Sequence, residues 1–213
     1  MNRSRLLACS LATIALTGAA GLAQAQALDQ PEAAPQATAW TDWTSETATT
    51  MSGTLTLASG TVRVKFSGPA IFFSQLGEAG NGDYWRSGTP DAYAATGRPS
   101  GTDIIGFTGG TEKQKYTITF SKPVTNPVMA ILSLGGNNAP ARYIFGQTPT
   151  VLSTGVGYYG GCATCLSVKK KTLSGTEGHG VVQFIGTFRT ISWTEPDYEN
   201  WHGITVGAPI VAP

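Results

Sequence analysis

Three short segments of this chain concentrate the residue types that do chemistry. The run Thr194-Glu195-Pro196-Asp197-Tyr198-Glu199-Asn200 carries three carboxylates and leads directly into Trp201 and His202. A pair of carboxylates held apart across a cleft supplies acid and base for glycoside hydrolysis, and Glu195, Asp197 and Glu199 together offer the oxygen donors that calcium takes. Carboxylate spacing within a loop is specific for neither. The expectation is therefore a solvated turn between two strands, with Pro196 breaking the ladder. A second segment, Asp83-Tyr84-Trp85-Arg86, lies in the long Gly-, Asp-, Tyr- and Arg-rich stretch from Gly77 to Thr102 and reads as a ligand rim or as a mobile crossover. The third is Cys162-Ala163-Thr164-Cys165. Its spacing admits a redox pair, half a zinc site or a loop-closing disulfide, and an oxidising compartment favours the disulfide.

The chain has two histidines, His179 and His202. No Gly-x-Ser-x-Gly elbow, phosphate loop, His-Glu-x-x-His motif or EF-hand loop is present, so no catalytic residue is assigned. If glycan chemistry occurs, its acid and base are a pair among Asp83, Asp103, Glu195 and Glu199. Alternation places His202 inward with Ile204 and Val206, and turns Trp201 and Thr205 outward. An exposed Trp is a stacking surface for a sugar ring. Trp193 shares a face with Ile191 and belongs to the core, while Trp40 and Trp43 cap the domain near its start. Lys169-Lys170-Lys171 reads as a solvated tip or edge guard.

Strands must position these residues. Val62, Val64 and Phe66 alternate with Arg63 and Lys65, and Tyr116, Ile118 and Phe120 alternate with Thr117 and Thr119. Such period-two segments belong to antiparallel strands with one dry face. Val128 to Leu134 is apolar throughout and takes a central place. About nine to eleven short strands, with no helical period, predict an all-β fold: an antiparallel two-sheet β-sandwich, jelly-roll-like.

Residues 1–27 have the anatomy of a secretory signal peptide, with Arg3 and Arg5, an apolar Leu6–Leu16 and two Ala-x-Ala frames ending at Ala25 and Ala27. Residues 28–39 read as a Pro/Ala-rich flexible leader, and 40–213 as a single domain. Removing the signal takes the formal charge from +1 to −1, which gives no electrostatic reason to bind nucleic acid or anionic lipid. No segment predicts a transmembrane anchor, and the expected location is secreted or periplasmic.

From Ile118 onward the chain resembles a group of uncharacterised bacterial exported proteins, many of which carry a PEP-CTERM sorting tail. The resemblance lies in Thr119–Gly135 (TFSKPVTNPVMAILSLG), Gly175–Phe184 (GTEGHGVVQF), Ile191-Ser192-Trp193-Thr194 and Glu199–Gly207 (ENWHGITVG). It implies a secreted β-sandwich in a cell-surface or matrix setting and assigns no catalytic residue. The chain ends Ala208-Pro209-Ile210-Val211-Ala212-Pro213, without the tail's apolar span and basic cluster, so free secretion or periplasmic retention is expected.

The function expected from these features is non-enzymatic binding of extracellular polysaccharide or matrix. Trp85 and Trp201 would stack on sugar rings, Tyr84 would line the rim, and Asp83 and Arg86 would hydrogen-bond. The alternatives are a glycan hydrolase with paired carboxylates and a purely structural or adhesive surface protein. No cofactor is required, with calcium at Glu195, Asp197 and Glu199 the open case.

Overall fold

A computed structural model describes residues 37–77, 82–99, 103–136 and 139–210, leaving aside the side chains of residues 111 and 112. The expected signal peptide and most of the leader lie outside the described residues. Every named strand pair is antiparallel, and none of the described residues is helical. No helix long and apolar enough to cross a membrane occurs among them.

The first strands among the described residues are β1 (Thr38–Trp40), β2 (Asp42–Glu46), β3 (Thr50–Leu57), β4 (Gly60–Ser67) and β5 (Phe73–Gln75). Strand β1 thus overlaps the end of the segment expected to be flexible, and Thr38–Trp40 pairs with Gly207–Pro209. Next come β6 (Ile104–Thr125), β7 (Val128–Leu134), β8 (Ala141–Phe145), β9 (Thr150–Gly157) and β10 (Gly160–Gly161). The last four are β11 (Leu166–Lys169), β12 (Thr172–Gly175), β13 (Gly178–Gln183) and β14 (Thr187–Pro209). The main path runs β10-β9-β13-β7-β14-β6-β4-β3-β2, while β8, β12 and β11 extend from β14 in a branch.

The long partners β6 and β14 form the spine, and four register shifts interrupt their ladder between Phe188 and His202. Bulges bend a strand and re-aim its side chains. The interval expected as a solvated turn, 194–200, is consequently extended β-structure within β14, and Glu195 is buried in it. Gly109 takes φ +65° opposite the shifted stretch, and a Cβ there would press on the Asp197 carbonyl.

Two apolar clusters hold the strands together. The larger joins Trp43, Phe66, Phe107, Tyr116, Trp193 and their neighbours, and the smaller gathers Trp85, Tyr93 and Ile104 over Val128, Ala130 and Leu132. β7 contributes Met129 and Ile131 to the first and the intervening residues to the second. Both faces of β7 are therefore dry, as its unbroken apolar run requires.

The described part of the long stretch, 82–99, is fastened to β9. Gly88 N–H donates to Val156 O at 2.9 Å and Val156 N–H donates to Pro90 O at 2.8 Å. Trp85 is fully buried, and its Nε1–H donates to Asp103 O at 3.0 Å. Trp85 is thus a core residue rather than part of a ligand rim, because its indole anchors this segment.

Candidate functional site

β14 and the turn leading into β13 place acids beside both histidines of the chain. Glu195 is enclosed by the aromatic core; its Oε1 accepts from Trp193 Nε1–H at 2.5 Å, and its Oε2 lies 3.1 Å from His202 Nε2. The opposite ring nitrogen, Nδ1, contacts Glu199 Oε1. Phe107 meets the His202 ring edge-to-face at 4.7 Å, and Tyr143 lies 5.3 Å away. Burial disfavours the imidazolium, but Glu195 and Glu199 outweigh it and push His202 up to about 9. Burial likewise pushes Glu195 above the usual carboxylate range against the pull of His202 and Trp193. We place the shared proton on His202, because two carboxylates face that one ring.

A second acid–histidine pair lies at the β12–β13 turn. Ser133 N–H donates to His179 Nδ1 at 3.3 Å, which puts the ring proton on Nε2, 3.6 Å from Glu177 Oε1. Ser133 Oγ–H also donates to Glu177 Oε1. Burial would raise Glu177, but the nearby His179 ring and the Ser133 hydrogen bond hold it below the usual carboxylate range. Gly157 admits this arrangement, since an added Cβ would collide with the His179 ring.

Glu177 and Glu199 both line an open pocket of about 420 Å³, within the range of small-ligand sites (roughly 300–1,000 Å³). Its aromatic lining is Tyr159, Tyr198 and Trp201, with Ser133 and Asn200 adding polar groups. Tyr159 and Tyr198 are 45% and 70% exposed. The rings of Tyr159 and Trp201 stand 5.7 Å apart at 85° and form a corner. Glu199 is more recessed: its side chain is 8% exposed and both its oxygens are shielded from solvent. The arrangement offers flat faces for stacking and carboxylate acceptors for hydroxyl or ammonium donors.

No protein-family model, curated protein or solved structure matches this chain.

The expected rim meets the Glu199–His202 segment in space through Tyr84 and Trp201, whereas Trp85 and Asp83 take no part in that contact. Tyr84 packs 5.6 Å from Trp201 and 4.8 Å from Tyr158, and Arg86 lies 4.0 Å over the Tyr158 ring. Trp201 is half-buried against Tyr84, Phe73 and Tyr159 while still lining the pocket. Asp83 instead shapes its own turn, accepting from Trp85 N–H and from Arg98 at 3.1 Å each.

The three candidate calcium carboxylates diverge. Glu195 and Glu199 take opposite sides of His202, whereas Asp197 pairs bidentately with Arg142 at 2.7 and 2.9 Å. Asp103 is buried and accepts from Trp43 N–H at 3.1 Å. Burial pushes it up to about 6 against that hydrogen bond. Neither Asp83, Asp103 nor Glu195 lines the aromatic pocket, which removes these three from the expected acid–base pairs there.

Trp193 is buried as expected, and His202, Ile204 and Val206 all face inward. Thr205 is buried as well, contrary to simple alternation, because β14 is covered on both faces; its Oγ1 accepts from Trp43 Nε1–H at 3.1 Å. Trp43 is accordingly a core residue rather than an end cap. Cys162 and Cys165 are at disulfide distance, with Cα atoms 5.1 Å apart. Glu177, Tyr159 and Tyr198 escaped the sequence reading. The available signals were the acid beside His179 in Glu177-Gly178-His179-Gly180 and the tyrosine pair preceding Gly160-Gly161.

Proposed function

We propose that this protein is an exported, non-enzymatic β-sandwich that binds extracellular polysaccharide in the pocket lined by Trp201, Tyr159 and Tyr198. The carrying observation is the perpendicular Tyr159–Trp201 corner beside carboxylates. Aromatic faces stack on the apolar faces of sugar rings and cost little entropy to fix, while acids accept from hydroxyl groups. The ends of β6 and β14 would belong to two facing layers, a jelly-roll-like sandwich that the bulged middle of β14 connects. The setting would be that of the PEP-CTERM-type exported proteins, secreted or periplasmic and adjoining an extracellular matrix.

Glycan hydrolysis is the second reading, favoured by Glu177 and Glu199 lining one pocket. A polysaccharide panel with and without calcium, assayed in the same wells for released reducing sugar, separates the two. Saturable binding without release supports the binding module. Release that disappears in Glu177→Gln or Glu199→Gln supports the hydrolase, and neither signal leaves a structural or adhesive role.

A further inference from the structure

We propose that the polysaccharide bound in this pocket is an amino-sugar polymer with free, cationic amino groups. This rests on the polysaccharide reading above and narrows it to a chemical class. Two carboxylates, Glu177 and Glu199, and no lysine or arginine line the pocket among the described residues. Glu177 faces a histidine whose Nδ1 already accepts the Ser133 N–H, so the local charge remains that of the acid. Glu199 also contacts His202 Nδ1 through its Oε1. Arg86 lies over Tyr158 and Arg142 is bound to Asp197.

Two further observations favour an ammonium over a hydroxyl. Glu199 Oε2 has no hydrogen-bond partner although its side chain is more than nine-tenths buried. A carboxylate oxygen at that depth calls for a donor, and an ammonium brings three N–H donors where a hydroxyl brings one. The aromatic faces add the second, since a cation near Trp or Tyr faces is attracted by the ring quadrupole. The same corner that stacks a neutral sugar therefore holds an aminated sugar more tightly.

The test compares two tetramers differing only at nitrogen, β-1,4-linked glucosamine and its fully N-acetylated counterpart, titrated calorimetrically into the purified protein at pH 6. The expected result is at least about tenfold tighter binding of the free amine, in line with a cation–π contact reinforced by a carboxylate. That preference should shrink as salt is raised and shrink again in Glu199→Gln, which replaces the carboxylate with the unpartnered Oε2. Equal affinities, or preference for the acetylated tetramer, overturn the amine inference while leaving polysaccharide binding intact. Failure of both tetramers overturns the amine inference; failure of every polysaccharide on the wider panel also removes the reading beneath it. Because the decisive comparison uses unmodified protein, a folding defect in the variant does not obscure it.

Discussion

His202 is where residue chemistry and stability meet most directly. Its imidazolium is held between Glu195 and Glu199 in a core of Phe107, Tyr143 and Trp193. The folded-state value of about 9 lies above the ordinary 6.5. This contribution is fully present below pH 6.5 and is lost as pH rises through 9. Thermal melts from pH 6 to 10 should show falling stability across that window, and His202→Gln should flatten the fall while lowering stability at pH 6. An unchanged slope in the variant would assign the fall to other groups. At Trp85, replacement by alanine removes a fully buried indole that also donates to Asp103 O. Urea unfolding of Trp85→Ala should show a loss of about 3–5 kcal/mol, the usual cost of deleting a core aromatic. A ligand-rim residue would lower affinity and leave the midpoint in place.

At the scale of elements, β14 decides which side chains reach the site. Alternation correctly directs His202, Ile204 and Val206 inward, and the apolar run 128–134 correctly marks a central strand. The register shifts from Trp193 to His202 are not legible by the same rule, since each bulge resets the side on which the next residue falls. Glu195 therefore reads as solvated in sequence and is buried in the fold. Tyr159 and Glu177 likewise come together only because β9 and β13 pair, a contact that no local pattern encodes.

The hairpin of β9 and β10 gives two further predictions. Gly157→Ala should displace the His179 ring and weaken pocket binding, read by calorimetry against the same polysaccharide. The Cys162–Cys165 loop supports the Glu177 turn, because Thr176 N–H donates to Cys165 O at 3.0 Å. Closing so short a loop contributes about 2 kcal/mol by the chain-entropy argument. Cys162→Ser with Cys165→Ser should lower the melting temperature by a few degrees and reduce affinity as the turn loosens. Unchanged affinity would detach the disulfide from the site.

For the whole molecule, an antiparallel strand network joins distant segments of sequence around one aromatic pocket. Trp201 comes from β14, Tyr159 from the β9–β10 turn and Glu177 from the β12–β13 turn. Low charge and period-two segments made the all-β class legible. Which acids and rings converge depended on pairings between residues scores of positions apart. The polysaccharide account depends most on Trp201, and titration of polysaccharides identified by the panel into wild type and Trp201→Ala tests it most directly. The account predicts saturable binding by wild type and at least about a tenfold loss in the variant, the scale of one stacked aromatic, with its melting transition still cooperative. Equal binding by the two proteins would contradict it.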